Sequence, residues 1–306
     1  MTSKRVNWGY LFLIAMVVAI NYIPGLPQWI AGKGLLFNIL ISEVLVLLPM
    51  LLITISSGEK LSNLFPFKKI RFTTVLLIVL FTILLFPFTA FLNSFSMLFT
   101  QNQILQVSDE IVGNAPMVVL FFFALLAPFC EEVVFRGIVF GTYRKGGNIL
   151  TAILLSALMF GFMHMNINQA IYAFALGIFM ALLVEATGSL WSSLLVHAFF
   201  NGTSMMTLFA SSSALGDASL QESASQALSS GDTLITIIIT YGVIALITMT
   251  INVFVLRKIA KNEGNEGIFT RIWESRKEKG HLITIPLLVA LALAICFMVA
   301  TSLIIG

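Results

Sequence analysis

The sequence is short of charge. Only 10% of its 306 residues are Asp, Glu, Lys or Arg, whereas a soluble domain carries about 25%. That excludes an ordinary water-exposed globular protein. Cysteine is scarce as well. Cys130 and Cys296 both lie in apolar runs, which excludes a disulfide framework and a zinc ribbon and leaves both as small hydrophobes. There are three histidines, His164, His197 and His281, and no H-E-x-x-H. The 21 glycines are scattered, so no glycine-rich cradle for a cofactor exists. The net charge of +3 comes from loop lysines and arginines and does not point to nucleic acid.

What is present is apolar surface: 58% of the chain is hydrophobic, in runs too long and unbroken for the alternation of a β-barrel. A hydrocarbon core of about 30 Å needs about 20 helical residues. Nine candidate spans follow, near 8–24, 36–56, 73–98, 116–141, 148–165, 168–185, 188–208, 233–256 and 282–305. The predicted fold is therefore all-α, a polytopic membrane bundle of about 8–9 transmembrane helices, with 1–306 as one integral membrane domain. The residues after the first span, Pro24-Gly25-Leu26-Pro27, make a poor cleavage site, so that span is read as uncleaved.

Orientation follows from the basic residues. With the N-terminus cytoplasmic and the spans alternating, all but Lys33 and Arg136 of the 17 lysines and arginines fall on the cytoplasmic side, as the positive-inside rule requires. The opposite side receives Asp109, Glu110, Asp217, Glu222 and Asp232. Residues 209–232, rich in Ser, Ala and Gln, are expected to form a flexible loop with room for a short helix. Within 257–281, Ile268, Phe269, Ile272 and Trp273 share one helical face beside Arg271, Arg276 and Lys277, which predicts an amphipathic helix at the membrane interface.

The chemistry concentrates in Cys130-Glu131-Glu132-Val133-Val134-Phe135-Arg136, inside the apolar fourth span. Each ionised residue near a helix centre in lipid costs roughly 2.5–3.5 kcal/mol. Glu132 and Arg136 are four apart and share a face, so they can neutralise each other. Glu131 is turned about 100° away and is the freer carboxylate. Phe160 and His164 repeat the interval of four on the fifth span, and His197 and Asn201 repeat it on the seventh. Such groups suit amide hydrolysis in a membrane cavity: a carboxylate deprotonates water beside a histidine, while a second histidine and an amide donate to the oxyanion. Zinc is the alternative use of the same atoms, with Glu131, His164 and His197 as candidate ligands and an open position for water.

These residues resemble the CPBP family, the CAAX proteases and bacteriocin-processing enzymes also called the Abi family of intramembrane proteases. The family pattern is E-E-x-x-x-R, then F-x-x-x-H, then H-x-x-x-N or H-x-x-x-D. It is met by Glu131-Glu132 through Arg136, by Phe160 through His164 and by His197 through Asn201, with Pro128 ahead and Gly188-Ser189-Leu190-Trp191 leading into the last motif. The resemblance covers roughly 115–205, the expected catalytic core. It implies that Glu131 and His164 activate water, that His197 and Asn201 stabilise the oxyanion, and that Glu132 and Arg136 support them. It implies an intramembrane endopeptidase, of metalloprotease or glutamate type, acting on a peptide or protein at the lipid bilayer. A bacterial plasma membrane suits the charge distribution. The alternatives are a non-catalytic membrane regulator or peptide-immunity protein of the same fold, and a transporter using the buried charges as a proton relay.

Depth sets a condition. At about 1.5 Å per residue, His197 lies about 12 Å from the cytoplasmic end of its span and His164 about 24 Å along its own. The fifth span is therefore expected to tilt or to start below the interface. Among other polar residues, Glu43 is read as a helix–helix hydrogen-bonding group, Glu185 as solvated, and Asn166 and Asn168 as turn formers.

Overall fold

The computed structural model describes residues 1–215, 231–278 and 280–305. Among them there are helices and no strand. The principal helices are α1 (Ser3–Tyr22), α2 (Leu35–Ser56), α3 (Phe72–Ser96), α4 (Pro116–Arg144), α5 (Ile149–Met163), α6 (Ile167–Thr187), α7 (Leu190–Leu215), α8 (Gly231–Asn262), α9 (Ile268–Ser275) and α10 (Ile285–Ile305).

Seven of these, α1 to α4, α6, α8 and α10, are long and apolar enough to cross a membrane. α7 is 26 residues long and carries His197, Asn201 and several hydroxyl residues. It runs on to Leu215, so 209–215 are helical and not loop. The rest of the expected loop, with Asp217 and Glu222, and Lys279 lie outside the described residues. α5 has only 15 residues, about 22 Å at helical rise. It is shorter than the span expected over 148–165 and falls short of the length that crosses the core.

One end of the bundle gathers the basic connections. There Lys145 Nζ pairs with Glu59 at 2.6 Å, and the Leu190 N–H donates to the Pro66 carbonyl at 2.9 Å. Asn265 Nδ2 donates to the Ala186 carbonyl at 2.9 Å. At the opposite end Asn168 Nδ2 donates to Asn93 Oδ1 at 2.9 Å and Ser96 Oγ at 2.8 Å, tying α6 to α3. Asn166 caps α6 by accepting from the Gln169 N–H.

α4 and α6 sit at the centre, 56% and 67% of their apolar windows being buried, against 11% for α8. Small residues allow the neighbouring helices α5 and α6 to touch. A Cβ on Gly161 would lie 2.7 Å from the Ala170 carbonyl oxygen, and one on Gly177 would lie 2.9 Å from the Ala157 Cα. Lipid supplies no hydrophobic drive between helices, so close backbone approach and interhelical hydrogen bonds must hold them. Tyr10 Oη on Met159 O at 2.9 Å and Asn252 Nδ2 on Phe81 O at 3.1 Å are such bonds.

Candidate active site

α4 is not a regular helix. Two stretches, Phe121–Leu126 and Val133–Phe140, are wound with the wider π register, and the short α segment Ala127–Glu132 lies between them. Pro128 accounts for the first. A proline inside a helix removes one N–H and crowds the preceding turn, and a π turn absorbs the misfit. The Ala127 N–H accordingly bonds five residues back, to the Phe122 carbonyl. In that register the donor to the Phe123 carbonyl would be the N–H of residue 128, which proline lacks. Asn201 Nδ2 fills the position at 3.0 Å.

Glu131 and Glu132 close the α segment, both buried. Glu132 Oε1 accepts from Arg136 Nη1 at 2.9 Å and from His197 Nδ1 at 3.0 Å. His197 Nε2 lies 3.6 Å from Glu131 Oε2. The His197 imidazole is therefore set between the two carboxylates, and Glu132, expected only to support, touches it directly. Ionised Glu132 can only accept, so the proton on this edge of the ring sits on Nδ1.

Phe160 organises the remainder. Its ring meets His164 edge-on at 5.1 Å and His197 edge-on at 5.6 Å, and the Arg136 guanidinium lies 4.2 Å from its centroid. His164 Nδ1 bonds the Phe160 carbonyl at 2.9 Å. A carbonyl cannot donate, so Nδ1 carries the proton and Nε2 keeps its lone pair in neutral His164. The chain turns immediately after it. Met165 takes the left-handed conformation, φ 55°, which costs a non-glycine residue energy and clusters at functional sites. Asn166 Nδ2 on the His164 carbonyl at 3.1 Å holds that turn. Glu131, Glu132, Arg136 and His197 are thus gathered where α4 meets α7, Phe160 joins His164 to them, and Asn201 lies one turn beyond His197 against the Phe123 carbonyl. His164 and Asn201 are the half-buried members.

Glu43, Glu185 and the apolar face of α9 depart from expectation. Glu43 is buried on the inward stripe of α2 with Val46 and Met50, within electrostatic reach of Glu131, and its Oε2 has no hydrogen-bond partner among the described residues. It brings a third carboxylate toward the site. Its isolation in an apolar span was the only available signal. Glu185 is buried and paired with Arg144 and Arg271, not solvated. On α9, Ile268 and Ile272 are buried in the bundle while Phe269 and Trp273 are exposed, so the expected single apolar face divides in two. Ser204 donates to the Phe200 carbonyl within its own helix.

Zinc would have to be held by Glu131, His164 and His197. Nδ1 of His197 is committed to Glu132 and Nδ1 of His164 to a carbonyl, which leaves Nε2 of both rings for water or a metal. No group of three or more His, Cys, Asp or Glu side chains is arranged to hold a metal ion among the described residues.

Residues 113–203 match the family model described as "Type II CAAX prenyl endopeptidase Rce1-like". All three motifs fall inside that match, and the resemblance read from them stands. Two curated relatives are similar to part of the chain. The "Putative membrane peptidase YdiL" of Bacillus subtilis (strain 168) is 26% identical over 92 residues, 30% of this chain and 37% of that protein. The "UPF0177 protein YaiH" of Lactococcus lactis subsp. lactis (strain IL1403) is 30% identical over 140 residues, 45% of this chain and 57% of that protein. The chain thus spans between about a third and somewhat over half the length of these relatives. No solved structure matches it.

Proposed function

We propose that this chain is an intramembrane endopeptidase of the CAAX-protease type, hydrolysing a peptide bond of a membrane-associated or secreted substrate. The observation that carries the reading is the buried array Arg136–Glu132–His197–Glu131, closed by His164 and Asn201. The family match over 113–203 supports it.

Glu131 is the general base. It takes a proton from a water that His164 Nε2 also holds, and the water oxygen bonds to the scissile carbonyl carbon. The carbonyl oxygen becomes an oxyanion. Asn201 has a second amide N–H beyond the one on Phe123, and that N–H donates to the oxyanion. His197 donates from Nε2 only as imidazolium, a form that ionised Glu132 stabilises from the other edge of the ring. Collapse of the tetrahedral intermediate breaks the C–N bond, and the proton on Glu131 passes to the leaving amine. Arg136 keeps Glu132 ionised inside the bundle, where an unpaired carboxylate would protonate.

The N-terminus and the basic end of the bundle are assigned to the cytoplasm by the positive-inside rule. A bacterial plasma membrane is the proposed location, in keeping with the two bacterial relatives. Comparison of new peptide termini in membranes carrying wild type or Glu131→Ala tests the activity and finds the substrate. The same termini in both membranes would leave a non-catalytic regulator of this fold as the reading. Elemental analysis of the purified protein and of His164→Ala/His197→Ala tests the metal question, and metal lost only from the variant would support the zinc reading.

A further inference from the structure

A cavity of about 500 Å³ opens at the basic end of the bundle, within the size range of small-ligand sites. Six cationic side chains line it against two carboxylates. The carboxylates do not balance them. Glu185 is shared by Arg144 and Arg271, two guanidinium groups on one carboxylate. Glu263 is taken by the Arg71 N–H at 3.0 Å and the Thr74 hydroxyl at 2.5 Å. Lys145 is held by Glu59. Lys68 and Lys69 are exposed and form no ion pair among the described residues.

These cations are held on a fixed frame. Ser189 Oγ donates to the Lys68 carbonyl at 2.5 Å, and the Leu190 N–H donates to the Pro66 carbonyl at 2.9 Å. The lysine loop is thereby fastened to the α6–α7 turn. Arg271 belongs to α9, whose Trp273 is 59% exposed with the Arg276 guanidinium 3.2 Å from its ring centroid. An exposed tryptophan beside arginines is the signature of the headgroup level of a bilayer. An uncompensated cationic cavity at that level fits an anion presented by the membrane itself.

We propose that this cavity binds the phosphate-bearing headgroup of an anionic lipid, with Lys68, Lys69 and Arg271 as its anion contacts. The occupant is bound lipid rather than substrate, since the cavity lies at the cytoplasmic mouth of α4 and not at Glu131. Arg136 also lines the cavity, which gives a bound headgroup a direct neighbour in the Glu132–His197 array.

The test is titration of the purified, full-length protein in neutral detergent with short-chain phosphatidylglycerol, phosphatidylcholine or inorganic phosphate, read by thermal shift and native mass spectrometry. It needs no cleavage activity. Phosphatidylglycerol is expected to saturate one site, with affinity falling roughly 10-fold or more in K68Q/K69Q and several-fold in R271Q. The control K4Q/R5Q removes the same charge at the same end, away from the cavity, and is expected to change affinity less than about twofold. Equal loss in K68Q/K69Q and K4Q/R5Q would reduce the effect to diffuse surface charge and overturn the site. Equal binding of phosphatidylcholine would overturn the requirement for an anion. Saturation by inorganic phosphate, dependent on the same lysines and not displaced by phosphatidylglycerol, would overturn the lipid as occupant.

Discussion

His197 Nδ1 lies 3.0 Å from Glu132 Oε1, across the contact of α7 with α4. Adjacent glutamates are thereby divided in function: Glu132 fixes the ring and its tautomer, and Glu131 faces the other nitrogen. Glu132 also carries the charge of a fully buried arginine. Removing one partner of such a pair costs about 3–5 kcal/mol, while removing both is far cheaper. Glu132→Gln is expected to lower thermal stability in detergent markedly, and Glu132→Gln/Arg136→Met to recover much of it. Both should remain inactive, since neither stabilises a His197 imidazolium. Recovery of activity in the double variant would contradict the role given to Glu132.

Pro128 and Asn201 form a second relationship with a measurable consequence. The missing N–H of Pro128 leaves the Phe123 carbonyl to Asn201. Asn201→Ala is expected to lower kcat about 10²–10³-fold, the usual loss for one oxyanion donor, with little change in KM. Pro128→Ala supplies a backbone donor that competes with Asn201. It should lower kcat less, again with KM nearly constant, and leave the helix intact. Equal kcat in Pro128→Ala and wild type would show that the carbonyl does not position the amide.

Gly161 permits the contact that brings His164 to the site. A Cβ there would lie 2.7 Å from the Ala170 carbonyl oxygen and 3.1 Å from the Phe174 N. Those are backbone atoms that cannot rotate away, so α5 and α6 must separate. Gly161→Ala is expected to destabilise the protein by about 1–3 kcal/mol, the usual cost of overpacking, and Gly161→Leu by more. Thermal unfolding in detergent reads both, and an unchanged midpoint for Gly161→Leu would contradict the close packing.

Much of this was legible beforehand, for identifiable reasons. Hydropathy locates apolar helices because lipid forces backbone hydrogen bonding within the segment, and an interval of four places Glu132 beside Arg136 and Phe160 beside His164. The shortness of α5 was not legible, because hydropathy over 148–165 runs past the point where the chain turns after His164. The π windings of α4 were illegible, because hydropathy carries no backbone register. The Glu132–His197 bond was equally hidden, since it depends on how two helices cross and not on either sequence alone. Glu185 was misread for the same reason: its arginine partners come from α4 and α9, 41 and 86 residues away. The inward turn of Glu43 is set by the packing of α2 on α4, which nothing in its own span specifies.

Glu59 predicts the acid response of the basic end. The hydrogen bond from Lys145 Nζ, reinforced by the Met1 ammonium, lowers its carboxyl from 4.5 to about 2. The folded value is below the unfolded one, so the stabilisation is complete above about 4.5 and is lost as pH falls toward 2. Solvent screens this pair, and the effect is small. The gap in Tm between wild type and Glu59→Gln should be steady near neutrality and close on acidification through that window. A gap independent of pH would contradict the pairing.

The central claim is that Glu131 deprotonates the attacking water. Its most direct test is the single-turnover rate of Glu131→Gln on a substrate found by terminus mapping, with wild type in parallel. Glutamine keeps the volume and hydrogen-bonding reach but cannot take the proton. The account predicts a rate at least about 10²-fold lower, with substrate binding nearly unchanged. A rate within about threefold of wild type, in a variant folded as judged by its Tm, would contradict it.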